Sequence, residues 1–101
     1  MSKSVLARDL KMVREIVLEH LKGYDARVYL FGSQATGNVT RTSDIDVGVL
    51  PLKPLPGSVF ANLRNALEES DVVRSVDVVN LLETGEKLRK RAVEEGILWT
   101  E

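Results

Sequence analysis

Asp44 and Asp46 stand two apart in the run D-I-D-V-G-V-L, and that spacing is the first sign of chemistry in the chain. On an extended strand, residues two apart project from the same face, roughly 6–7 Å apart at the backbone. Ile45 and Val47 then face the other way, into a core. Two carboxylates crowded on one face repel each other unless a cation sits between them. A hard divalent ion such as Mg²⁺ is held by one or two carboxylates together with substrate phosphate oxygens, so the pair can cradle a metal. Taken alone, a D-x-D pair is more commonly an ordinary solvated strand face beside a turn.

Gly32-Ser33 supplies the company such a pair needs. The two residues directly follow the apolar run R-V-Y-L-F at 27–31. A glycine there lets the backbone approach a ligand closely, and the turn that follows can aim amide N–H groups at a phosphate. Gly-Ser after a strand is by itself an ordinary turn. The combination is what counts: ten residues, Gln34 to Ser43, separate Ser33 from Asp44. From this chain's own Gly, Ser and Asp frequencies the spaced pattern arises by chance on the order of once per thousand such chains. An anion-binding turn and metal-binding acids then converge on one triphosphate.

Asp77 is the third acid. It lies in S-V-D-V-V-N-L, where Val76 and Val78 face opposite to it. If that strand lies beside 44–50, Asp77 completes a three-carboxylate site suited to two-metal phosphoryl transfer, with ions about 3.5–4 Å apart. It could also serve as a general base. The plainer alternative is a strand-edge acid facing water.

The elements that must position these residues read out in order. Leu6, Leu10, Val13, Val17 and Leu21 recur at helical spacing over residues 3–22, and Gly23 stops that helix. Strands follow at 27–31 and 44–50. The stretch from Pro51 to Gly57 reads as a connecting loop, because its prolines cannot continue a strand or a helix. Ser58 is expected to cap a helix through Glu69, with Phe60, Leu63 and Leu67 on its buried side. Ser75 to Leu82 reads as a third strand. Thr84 is expected to cap a last helix over 85–95, ended by Gly96, and Ile97-Leu98-Trp99 as a short apolar tail. The order α-β-loop-β-α-β-α makes an α/β layered domain spanning residues 1–101.

Composition bounds what this domain can do. With 101 residues there is room for one modest core and little for a separate substrate-binding module. A net charge of −1 argues against an extended nucleic-acid surface. The absence of cysteine excludes disulfides and thiolate zinc sites and fits a reducing compartment. No apolar run reaches the length of a membrane span or signal-peptide core, so a cytoplasmic location is expected. His20, the single histidine, falls at the edge of the first helix's apolar face and reads as packing. Lys87 to Arg91 reads as a solvated basic helix face, and Tyr29 and Trp99 as core or interface aromatics.

The run F-G-S-Q-A-T-G-N-V-T-R-T-S-D-I-D-V resembles the G-S-x10-D-x-D signature of the DNA polymerase beta superfamily. Within it the chain looks most like the minimal nucleotidyltransferases, many of which resemble antitoxins paired with helical HEPN partners. The likeness covers nearly the whole chain in element order. It implies a small mixed β-sheet of three or more strands flanked by helices. Carried over by position, it implies that Gly32 and Ser33 hold the triphosphate and that Gly37 is the second loop glycine. It likewise implies that Asp44 and Asp46 bind two Mg²⁺ ions, with Mn²⁺ as a substitute, and that Asp77 is the third acid. Two features depart from the pattern. Gln34 and Thr36 stand where basic residues are frequent, leaving Arg41 as the nearby charge, and Asn80 stands where a further acid is common. Neither change removes a metal ligand.

The activity implied is transfer of a nucleoside monophosphate, AMP from ATP first among them, to a hydroxyl on a HEPN-type partner. The alternative is a non-catalytic antitoxin that neutralises its partner by binding. A third reading is a small-molecule transferase working with another chain.

Overall fold

The computed structural model describes residues 2–31, 45–73 and 75–100. Its elements are α1 (Ser2–Leu21), β1 (Ala26–Phe31), β2 (Ile45–Pro51), α2 (Gly57–Glu68), β3 (Val76–Asn80), α3 (Glu86–Glu95) and β4 (Ile97–Leu98). The strands form one mixed sheet in the order β3-β2-β1-β4. β1 runs antiparallel to β2, from Ala26 opposite Pro51 to Phe31 opposite Asp46. β3 runs parallel to β2, which requires a crossover, and α2 supplies it.

Period-two alternation sorts the strands into two faces. Val28, Leu30, Ile45, Val47, Val49 and Val78 are buried on one side under Val13, Val17 and Leu21 of α1 and Val59, Phe60, Leu63 and Leu67 of α2. The helical spacing read from the sequence therefore matches the faces that pack, although the side chain of Leu6 lies outside the described residues. Large apolar side chains contribute about 1.5–3 kcal/mol each when fully buried, so this layer dominates the stability. The opposite face carries a smaller cluster in which Tyr29 and Leu81 pack with Ala92 of α3. Trp99 is buried in the main core and its backbone N–H donates to the Val28 carbonyl at 2.8 Å.

Several element boundaries differ from those the sequence suggested. Pro51 is the last residue of β2 rather than loop, because a strand's end tolerates the missing N–H; the following N–H, from Leu52, donates to the Asp25 carbonyl at 2.8 Å. α2 begins at Gly57, with Pro56 at the cap position and no side-chain cap bond, so Ser58 lies inside the first turn. At α3 the cap is Gly85, while the Thr84 hydroxyl turns back to the Leu81 carbonyl at 3.1 Å. Gly23 does end the first helical segment, at a φ of 87° that only glycine adopts easily. The apolar tail is a strand: Leu98 and Ile97 pair antiparallel with Tyr29 and Leu30, making β4 the outer edge beside β1.

Candidate active site

The sheet brings two of the candidate acids together. In the parallel ladder Asp46 is directly opposite Asp77. Neighbouring strands lie about 4.8 Å apart and opposed residues share a face, so the two carboxylates leave the sheet side by side. Phe31 is opposite Asp46 on the other flank, completing a row Phe31–Asp46–Asp77 across three strands. Asp46 is half-buried and Asp77 is exposed. Ile45 and Val47, on either side of Asp46, are fully buried in the core on the opposite face. The alternation expected of residues 45–47 is thus the alternation observed.

Position along the strands matters as much as the face. The row lies where β1 ends and where β2 and β3 begin, because β1 runs opposite to the other two. One row further into the sheet the same face turns apolar, with Tyr29, Gly48 and Val79 in register. Gly48 packs closely there: a Cβ at that position would lie 3.0 Å from the nearest methyl carbon of the fully buried Leu81, which would have to give by a few tenths of an ångström. Leu81 and α3 therefore cover the apolar rows, and the acid row lies at the sheet's end.

Two residues that sequence reasoning missed hold β3 in place. Asp9, on α1, is fully buried, and its carboxylate accepts the Val73 N–H at 3.2 Å, tying the segment before β3 to the first helix. An acid falling on the buried stripe of an amphipathic helix was the available signal. Arg64, on α2, donates to the Val78 carbonyl at 2.9 Å and lies 5.7 Å from the centre of the Phe60 ring. Asp77 is one residue from that anchor. His20 makes the local contact expected of a packing residue, its Nδ1 lying 2.9 Å from the Ile16 carbonyl oxygen. In the basic run, Arg91 pairs with Glu95 at 3.1 Å on an exposed helix face.

Asp46 and Asp77 are the donors that suit a divalent ion, since hard cations choose carboxylate oxygens. Among the described residues no three His, Cys, Asp or Glu side chains converge. Asp44, Gly32, Ser33 and Gly37 lie outside the described residues, as do Gln34, Thr36 and Arg41. Phe31 and Ile45, which flank that segment, both sit at the acid end of the sheet. Among the described residues no helix is long and apolar enough to cross a membrane.

Comparison with known proteins agrees with this geometry. Residues 17–101 match the family model described as polymerase beta, nucleotidyltransferase, a family whose chemistry generally uses divalent metal ions. The chain is 28% identical over 86 residues to the probable protein adenylyltransferase MntA of Haemophilus influenzae, covering 85% of this chain and 74% of that one. Among solved structures, a candidate minimal nucleotidyltransferase superposes with a TM-score of 0.69 at 31% identity, covering 87% of this chain and 90% of the other. A toxin–antitoxin complex with AMP-PNP superposes with a TM-score of 0.67 at 27% identity, covering 86% and 72%. The MNT antitoxin bound to a tri-AMPylated Shewanella oneidensis HEPN toxin shares the fold at 23% identity, with a TM-score of 0.63 over 99% and 72% of the two chains. The chain belongs to the polymerase beta nucleotidyltransferase family.

Proposed function

We propose that this chain transfers AMP from ATP to a hydroxyl on a HEPN-type toxin partner, as an antitoxin that acts by modification. The observation that carries the reading is the row in which Asp46 and Asp77 stand directly opposed on one face at the end of the sheet. Two further facts support it: the Haemophilus influenzae relative is a probable protein adenylyltransferase, and a neighbouring toxin–antitoxin structure contains AMP-PNP.

In this reading each residue has a role. Asp44 and Asp46 hold the ion that accompanies the triphosphate, and Asp77 joins Asp46 in holding the second. Magnesium, when bound, supplies charge neutralisation of the triphosphate and activation of the attacking hydroxyl. Gly32, Ser33 and Gly37 hold the phosphates through backbone N–H groups and the Ser33 hydroxyl. Asp77, exposed on the outer strand, faces the incoming acceptor and can take its proton. The acceptor oxygen bonds to the α-phosphorus, the bond from that phosphorus to the bridging oxygen breaks, and pyrophosphate leaves with the electron pair.

The test is incubation of the purified chain and its partner with ATP labelled at the α-phosphate and Mg²⁺. Label is expected on the partner with the wild-type chain and not with Asp46→Asn. A complex that forms while the partner stays unlabelled would overturn the reading in favour of neutralisation by binding.

A further inference from the structure

β3 is an edge strand, paired only with β2. It carries Asp77, so whatever holds its outer side also holds the acid row. The Ser75 carbonyl accepts from the Ile45 N–H and the Leu81 N–H donates to the Val49 carbonyl, so the odd-numbered residues of this segment turn their backbone groups toward β2. Asp77 is among them. Val76, Val78 and Asn80 turn theirs the other way, where no further strand pairs among the described residues. A strand of five residues with one neighbour belongs to the part of a fold that opens most readily.

The outer carbonyls are bonded at two places among the described residues. At the end of the strand the Glu83 N–H donates to the Asn80 carbonyl at 3.0 Å, a turn within the same stretch of chain. In the middle the Arg64 guanidinium donates to the Val78 carbonyl at 2.9 Å, and this bond comes from another element. Phe60 and Arg64 lie four apart on α2, and the guanidinium is 5.7 Å from the centre of the Phe60 ring. Phe60 is buried in the core, so this cation–π contact ties the guanidinium to a fixed part of the molecule. Arginine is always charged, and a bond from a charged donor is stronger than one between neutral groups. The bond fixes the strand one residue past Asp77. Opening of β3 there would carry Asp77 away from Asp46, its partner in the ladder, whereas β2 is paired on both sides and would stay.

We infer that Arg64 is a positioning residue for the transfer step: by pinning the outer edge of β3 at Val78 it keeps Asp77 opposite Asp46. Its loss acts on turnover more than on nucleotide affinity, because the displaced acid belongs to β3 and not to β2. The effect on turnover rests on the adenylyl-transfer reading, while the effect on the strand does not depend on it.

The experiment compares the full chain with Arg64→Met, which keeps an unbranched side chain but no donor, and Arg64→Lys, which keeps a cation. Arg64 is exposed, so both changes leave the core packing in place. Hydrogen exchange of the ¹⁵N-labelled protein reads the strand. In Arg64→Met the Asp77 and Val79 amides, which face β2, are expected to exchange about tenfold faster or more, as for loss of one bond to a charged donor, and the Leu30 amide of β1 to change much less. With the cognate partner and labelled ATP, kcat of Arg64→Met is expected to fall about tenfold or more, as for a displaced catalytic group. Its affinity for ATP with Mg²⁺ should stay within a few-fold, and Arg64→Lys should recover most of both the exchange protection and the rate. Unchanged exchange at Asp77, equal acceleration at Leu30, an unchanged rate, a loss of ATP affinity as large as the loss of rate, or Arg64→Lys no better than Arg64→Met would each overturn the inference. A wild-type chain that binds its partner without labelling it would instead sink the adenylyl-transfer reading, and the exchange rates would still decide whether Arg64 holds Asp77 in place.

Discussion

Asp77→Asn is expected to make the protein more stable without metal and less stable with it. Asp46 and Asp77 are opposed in the parallel ladder, and like charges directly opposed on a sheet destabilise by roughly 0.2–1 kcal/mol. Asp77 is exposed, so solvent screening places the gain from removing its charge near the middle of that range, about 0.5 kcal/mol. A ligand that binds only the folded state adds about 2.7 kcal/mol when present at 100 times its Kd. If the substitution weakens ATP–Mg²⁺ about fivefold, the same mixture adds only about 1.8 kcal/mol to the variant. The variant then leads by about 0.5 kcal/mol in EDTA and trails by about 0.4 kcal/mol with ATP and Mg²⁺. Urea unfolding at 25 °C reads this as a reversal in the order of midpoints, each difference a few tenths molar for a slope of about 1–2 kcal/mol/M. Asp46 is the wrong residue for this test, because it is half-buried and engaged within the fold. A variant less stable than wild type in EDTA, or midpoints that keep their order in both solutions, would show that the two carboxylates do not share a site.

Three further outcomes are expected. With the cognate partner present, Asp77→Asn should cut transfer by roughly 10²-fold or more while ATP–Mg²⁺ affinity changes only a few-fold, whereas Asp46→Asn should abolish metal-dependent ATP binding; calorimetry and labelled-ATP assays separate the two. Ser33→Ala should weaken ATP binding by about 1 kcal/mol, the worth of one hydrogen bond, and Gly32→Val by far more, so equal tolerance of both would make that turn merely structural. Gly96→Ala should cost about 2–4 kcal/mol in urea unfolding, as a forced overpacking that also disturbs the β4 pairing. The added Cβ would lie 2.2 Å from the Ala92 carbonyl oxygen and 3.0 Å from that of Leu30, both backbone atoms that no rotamer change relieves.

The sequence carried its strongest signals where one face of an element is buried. Val13, Val17 and Leu21 repeat at helical spacing because α1 buries one stripe, and Ile45 and Val47 flank Asp46 because β2 buries one face. Those patterns were legible, and so was the face that Asp46 takes, while Asp44 lies outside the described residues. What was not legible depends on partners distant in sequence. The pairing of Asp46 with Asp77 is a register, fixed by how α2 returns the chain to the sheet, and no local pattern encodes it. β4 is two residues long and both are exposed, so neither alternation nor burial marked it. Ser58 and Thr84 have the right chemistry for caps, but the preceding backbone already adopts the extended cap geometry at Pro56 and Gly85 without a side-chain bond. Arg64 looked like any exposed helix arginine until the neighbouring edge strand was in place.

The parallel relation of β2 and β3 is the part of the topology on which the proposed chemistry depends. Asp77 is the second residue of its strand, as Asp46 is of β2. Were β3 antiparallel to β2, an acid so near its start would lie at the far end of the sheet from Asp46. A parallel neighbour demands a crossover, and the helix that provides it does more than return the chain. α2 buries Val59, Phe60, Leu63 and Leu67 against the sheet, which sets its distance from β3. Its outer surface then presents Arg64 and Glu68 to the edge of that strand. One helix thus determines that Asp77 stands beside Asp46. Substitutions at the buried positions of α2 should accordingly disturb the register of the two acids, whereas those at exposed Glu68 should leave it unchanged.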